Sequence, residues 1–152
     1  MDKTCRIAMC DDVPADIDYI KSMVEKWAKA RDISVQIETF PSAESFLFRY
    51  AEDKDFDVLL LDIEMAAMDG VTMAKKVRRE NETVQIVFIT GYSDYIAEGY
   101  EVEALHYLMK PVHEEKLFQV LDRAMEKLEK NARCLDLELS GEMVRLPLYT
   151  IR

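Results

Sequence analysis

Asp11, Asp12, Asp62, Thr90 and Lys110 each stand at the end of a short apolar run, where a side chain is free to do chemistry. Carboxylates brought together repel unless a cation neutralises them, and an all-oxygen site with room for water suits Mg²⁺. A carboxylate can also attack phosphorus to give an acyl phosphate, provided the charge on the transferred oxygens is stabilised. The amine of Lys110 and the hydroxyl of Thr90 are groups that could do this. Singly, each residue has a plainer reading, since strand-end aspartates cap the helices that follow and a lysine pairs with an acid. All five together favour a site.

The elements that must position these groups alternate along the chain. Residues 6–10 form a short apolar run that predicts a buried strand ending at Asp11 and Asp12. Ile17, Ile20, Val24, Trp27 and Ala28 recur with helical spacing over 14–31, a helix opened by Pro14. A strand over 33–40 and a helix through Phe46, Leu47 and Tyr50 follow. The unbroken apolar run 57–62 marks a central strand covered on both faces and ending at Asp62. A helix over 71–80, a strand over 84–90, a weaker helix over 92–100, a strand over 104–109 and a helix over 114–130 complete five strand–helix units. Such alternation predicts an α/β, doubly wound parallel sheet with its site at the carboxyl ends of the strands, near a switch in strand order.

Beyond Asn131 the pattern changes. Residues 134–139 alternate strictly, Ser140-Gly141-Glu142 reads as a turn, and 143–146 return, which predicts a C-terminal β-hairpin extension. A hairpin forms no core alone, so it either opens a further domain or pairs with a neighbouring chain. The 152 residues suit one compact domain, with 49% hydrophobic and 33% charged residues as in ordinary globular proteins. A net charge of −10 argues against this chain gripping nucleic acid. Cys5, Cys10 and Cys134 are an odd set without CxxC spacing or a preceding leader, and no apolar run approaches the roughly 18–20 residues of a membrane span. A cytoplasmic protein without membrane contact is expected.

Cys10-Asp11-Asp12, Leu61-Asp62, Met68-Asp69-Gly70, Ile89-Thr90-Gly91 and Lys110-Pro111 together resemble the pattern of the receiver domain of two-component response regulators, over about residues 5–130. The resemblance implies a flavodoxin-like five-stranded parallel sheet of order 2-1-3-4-5. It implies Asp62 as phosphoacceptor and Mg²⁺ held by Asp11, Asp12, Asp62 and the backbone carbonyl of Glu64. Lys110 would contact the phosphoryl group, Thr90 would move to bond it, and Tyr107 would swing inward with Thr90, although an ordinary strand tyrosine is as good a reading of that residue. Lys110-Pro111 would be a cis peptide. The donor would be a sensor histidine kinase and activation could form a homodimer. The only catalysis would be the chain's own phosphotransfer and autodephosphorylation.

The tail resembles the opening strands of a LytTR-type DNA-binding domain, which divides the chain into a receiver over 1–131 and the start of an output domain over 132–152. DNA would be reached only through that output domain, in a transcriptional regulator. Two departures stand out: Ala66-Ala67 replaces the common proline and small residue, and Val13 replaces a frequent acid, so altered kinetics and weaker metal affinity are expected. His106 and His113 read as structural, Met65 and Met68 as bordering the crevice, and 92–103, with Gly91 and Gly99 in or beside it, as the face that changes. A haloacid-dehalogenase-like phosphatase is disfavoured because its nucleophile ends the first strand with a second aspartate two residues on. A receiver-like scaffold that is never phosphorylated survives only through the Ala66-Ala67 loop.

Overall fold

The computed structural model describes residues 4–65, 68–91 and 102–139, with side chains to residue 131. Five strands, β1 (Cys5–Cys10), β2 (Val35–Phe40), β3 (Val58–Leu61), β4 (Gln85–Thr90) and β5 (His106–Met109), form one sheet in the order β2-β1-β3-β4-β5. Every pairing is parallel. Both the expected sheet and its order are therefore present. Four helices lie among the described residues: α1 (Pro14–Arg31), α2 (Ala43–Glu52), α3 (Gly70–Arg78) and α4 (Glu114–Leu139).

The alternation of side chains across the strands divides the core into two halves. Ile7, Met9, Val58, Leu60, Val87, Ile89 and Leu108 face α1 and α4, where Val24, Trp27, Leu117 and Leu121 are buried against them. Ala8, Cys10, Leu59, Leu61, Ile86 and Phe88 face α2 and α3, packing on Phe46, Tyr50, Met73 and Val77. Helices on both faces are why β3 and β4 read as unbroken apolar runs. With both faces sealed, polar groups can emerge only at strand ends. Trp27 joins α1 to α4, because its buried ring donates an Nε1–H to Asp122 Oδ1 at 2.9 Å, and Arg31 holds the same carboxylate through two contacts of 3.0 Å.

Local chemistry sets the helix starts. Pro14 opens α1, where a missing N–H costs nothing. The Ser42 hydroxyl accepts from Ser45 N at 3.1 Å to cap α2, and Asp69 Oδ1 accepts from Thr72 N at 2.7 Å to cap α3. Among the described residues no helix is long and apolar enough to cross a membrane.

One expectation is corrected. Residues 134–139 are not a strand but the last turns of α4, which runs unbroken from Glu114 to Leu139. A helix already nucleated adds a hydrogen bond with each further residue, whereas a new strand needs a partner. Leu128 and Leu135 also continue the seven-residue spacing set by Leu121, which competes with the period-two pattern of 134–139. The turn and second strand of the expected hairpin, residues 140–146, and the helix expected over 92–100 lie outside the described residues.

At the edge of the sheet Glu38 accepts from Arg49 Nε at 3.1 Å and from Arg6 Nη2 at 2.9 Å. Burial alone would raise the Glu38 carboxyl, but these bonds outweigh it and hold it below the ordinary glutamate range. A depressed carboxyl stabilises the fold above its unfolded value, and that contribution disappears as pH falls through the folded one. Glu38→Gln is expected to cost about 1 kcal/mol at pH 7. In thermal melts the gap from the parent protein should close as the pH is taken towards 3; a gap that stays constant with pH would refute the assignment.

Candidate functional site

The ladder hydrogen bonds continue one residue past the strands and carry the polar groups with them. Asp11 N donates to Phe40 O at 3.1 Å, Asp62 N to Cys10 O at 2.9 Å, and Lys110 N to Thr90 O at 2.9 Å. Asp11 follows β1, Asp62 follows β3, Thr90 ends β4 and Lys110 follows β5, so four adjacent strands deliver their groups to one edge. This is also where the strand order reverses, with β2 and β3 on opposite sides of β1. Lys110-Pro111 is a cis peptide.

Carboxylate oxygens of Asp11, Asp12 and Asp62 lie within 4.8 Å of one another. Asp11 and Asp62 are only 5% and 6% exposed, so water cannot screen their repulsion. Lys110 Nζ answers it by donating to Asp11 Oδ2 at 2.7 Å, Asp62 Oδ2 at 3.2 Å and Asp16 Oδ2 at 2.7 Å. Burial pushes the Asp11 carboxyl above the usual aspartate range, although the bonds from Lys110 and from Val13 N pull it back down. The Lys110 ammonium shows the opposite balance: burial would lower it, but its bonds to Asp11 and Asp16 raise it further above the ordinary lysine range. A proton on Lys110 is thus secure.

Two buried polar atoms at this edge, Asp62 Oδ1 and Thr90 Oγ1, have no hydrogen-bond partner among the described residues. Buried oxygens are seldom left this way, and an unsatisfied carboxylate oxygen among clustered carboxylates fits a divalent cation that prefers hard oxygen donors. Glu64 lies in the loop leaving Asp62, with its side chain exposed. Asp12 is exposed at the mouth of the cluster.

Thr90 and Tyr107 share a face of the sheet. Phe88 is in register with Tyr107 and its ring centroid lies 6.4 Å away, while Thr90 is two residues beyond Phe88 on the same side. Met65 and Met68 pack partly buried against the α2–α3 half of the core. His106 sits on β5, where burial holds its imidazole below the usual range, and His113 precedes α4; neither is among the clustered metal-capable groups. The Arg78 guanidinium ties α3 to the segments that enter β4 and β5, donating to Val84 O and Val102 O at 2.8 Å each. Ala66-Ala67 lies outside the described residues.

Asp16 is the residue that sequence reasoning missed. It lies in the first turn of α1, five residues after Asp11, and the available signal was an acid in the opening turn of the helix that starts above the strand end. Gly70 has a role beyond its motif. A Cβ there would collide with the backbone carbonyl oxygen of Asp62 and crowd Ile63 Cα, while Gly70 N donates to Ile63 O at 2.9 Å. Only glycine lets the start of α3 press this closely on the loop that carries Asp62.

Residues 7–122 match the family model described as the response regulator receiver domain. Among curated relatives, the chain is 35% identical over 111 residues to the sensory transduction protein LytT of Oceanobacillus iheyensis, covering 70% of this chain and 41% of that protein. It is 26% identical over 122 residues to the transcriptional regulatory protein NatR of Bacillus subtilis, covering 80% and 50%. The chain spans about half the length of the curated relatives it matches. Among solved structures, a CheY-like response regulator receiver domain from Methanospirillum hungatei superposes with a TM-score of 0.72 at 24% identity, over 85% of this chain and 99% of that one. The response regulator TrrA of Thermotoga maritima, solved in complex with Mg²⁺-BeF, gives a TM-score of 0.69 at 23% identity over 79% and 98%. The fold is that of a receiver domain. This chain belongs to the response regulator receiver domain family.

The tight contact at Gly70 makes a stability and geometry prediction. Gly70→Ala should destabilise the domain by about 1–3 kcal/mol, the usual range for forcing extra volume into a packed site. It should also shift the backbone amide resonances of Asp62 and Ile63. An alanine variant with parent stability and unchanged shifts would show that the loop yields freely.

Proposed function

We propose that this chain is a phosphorylation-dependent switch in which Asp62 accepts a phosphoryl group from a sensor histidine kinase and passes the change of state to an output domain. The observation that carries the reading is Asp62 itself: Oδ1 is buried without a partner among the described residues, beside two other carboxylates, while Oδ2 is held by Lys110. Its environment is that of a reactive group kept available, not of a satisfied helix cap.

Asp11, Asp12, Asp62 and the backbone carbonyl of Glu64 would hold Mg²⁺, which when bound supplies positive charge for the phosphoryl oxygens. An oxygen of Asp62 attacks phosphorus, and the new O–P bond forms as the bond to the leaving group breaks. The departing electron pair goes to the kinase's histidine nitrogen, or to an acetate oxygen when acetyl phosphate is the donor. Lys110 balances charge on the transferred oxygens, and the unpartnered Thr90 hydroxyl turns to donate to one of them. Tyr107, on the same face one strand over, follows Thr90 inward. Autodephosphorylation is the reverse demand on the same groups, with water as acceptor, so the chain turns over no separate substrate.

The receiver spans residues 1–131, and residues 132–152 begin the output domain, with α4 passing from one to the other. The relatives named LytT and NatR, of which the matched segment covers 41–50%, support a LytTR-type output that binds DNA and regulates transcription in the cytoplasm. Phosphorylation would favour a homodimer.

The test is intact mass after incubation with acetyl phosphate and Mg²⁺. One phosphoryl group should be added, and none with Asp62→Ala or with a chelator present. If the folded protein takes up no phosphoryl group, the chain is a phosphorylation-independent scaffold instead.

A further inference from the structure

Lys110 has three ammonium protons, and three carboxylates take them: Asp11 at 2.7 Å, Asp16 at 2.7 Å and Asp62 at 3.2 Å. Its capacity is full. A phosphoryl group on Asp62 would bring new acceptor oxygens into the same space, so Lys110 can bond to one only by leaving an acceptor that it holds now.

The three acceptors are not equally easy to leave. Asp11 and Asp62 are nearly fully buried, so an oxygen abandoned there would find no water to replace the ammonium; Val13 N reaches only the other oxygen of Asp11. They are also members of the oxygen cluster suited to a cation, whereas Asp16 is not. The Asp16 side chain keeps 37% of its exposure, against 7% for each of the others, and borders an open cavity of about 260 Å³ with Tyr19, Ile20, Lys110, Pro111 and Val112. Released by Lys110, it would be hydrated at once.

We propose that Asp16 is a positioning residue that holds Lys110 back in the unphosphorylated protein and thereby limits how readily the site takes a phosphoryl group. The role rests on the phosphotransfer reading above and deepens it. Asp16 competes with the phosphoryl oxygens for one ammonium proton. Because the pair is partly exposed, the competition is modest, which makes it a means of adjusting the switch without locking it.

The test measures affinity for beryllofluoride, a non-covalent stand-in for the phosphoryl group, by calorimetry in saturating Mg²⁺, with melting curves to confirm folding. Asp16→Asn should bind it about fivefold more tightly than the parent, and Asp16→Glu, which restores the charge, should return to within about twofold of it. Affinity for Mg²⁺ alone should change by less than about twofold, because Asp16 acts on the lysine and not on the cation. If Asn disturbs the start of α1, Asp16→Ser carries the same expectation. Binding by the parent protein with no gain in Asp16→Asn or Asp16→Ser would overturn this inference alone, as would a gain matched by an equal change in Mg²⁺ affinity. A folded parent that neither binds beryllofluoride nor accepts a phosphoryl group would overturn the phosphotransfer reading, and the role of Asp16 with it.

Discussion

The constraint on which the structure turns is that two buried carboxylates, Asp11 and Asp62, share an edge of the sheet with a third, Asp12, and one ammonium must answer them. Like charges at this separation in a poorly hydrated place cannot coexist without a counter-charge. Lys110 provides it from 99 residues away in sequence, reaching from beyond β5 across the ends of β4 and β3 to Asp11. The sheet order makes that reach possible. With β1 and β3 adjacent and β4 and β5 following, the acids lie side by side and the lysine comes in from the flank.

The rest of the fold serves this edge by being apolar everywhere else. Helices on both faces bury β3 and β4 completely, so each strand can spend its polar groups only where it ends. Backbone bonds from Asp11, Asp62 and Lys110 to neighbouring strands then fix those ends relative to one another. Gly70 draws α3 down onto the Asp62 carbonyl, and Asp69 caps that helix, so the loop after β3 is pinned at both ends. The Met-Asp-Gly motif is therefore an architectural device: neither its aspartate nor its glycine supplies a group to the cluster, yet both hold the loop from which Asp62 projects.

The parallel sheet and the convergence of Asp11, Asp12, Asp62, Thr90 and Lys110 were legible in sequence for a common reason, whereas the strand order came from the family resemblance alone. A parallel sheet covered on both faces writes its strands as continuous apolar runs, and the polar residue that breaks each run marks the edge where function can sit. Asp16 was not legible because a first-turn acid has an adequate explanation in the helix dipole, and nothing in its spacing reveals that a lysine 94 residues away will reach it. The end of α4 was misread because 134–139 satisfies two periods at once. Strict alternation suits a strand, while Leu128 and Leu135 keep step with the helix before them, and continuing an existing helix is easier than starting an unpaired strand.

The unsatisfied atoms explain why such an edge can act as a switch. Thr90 Oγ1 and Asp62 Oδ1 are buried without partners among the described residues, and a buried polar atom in that condition costs about 1–3 kcal/mol. That cost is tolerable in a core this well packed, and a ligand able to satisfy both atoms recovers it on arrival. Under the proposed function the phosphoryl oxygens and the cation do so: the Thr90 hydroxyl gains an acceptor, and Asp62 ceases to be a bare carboxylate. A ligand shifts a conformational equilibrium only by the difference in its interaction with the two states. Here the difference is concentrated at Thr90, because its hydroxyl has nothing to lose by turning. Tyr107 lies on the same face of the next strand, so under the proposed function a movement of Thr90 would reach it first, beside the segment entering β5 that Arg78 anchors. Lys110, in contrast, begins fully engaged and must exchange one acceptor for another. One residue starts unsatisfied and the other saturated, so under the proposed function Thr90 would set how much is gained on phosphorylation and Lys110, through Asp16, how much must first be given up.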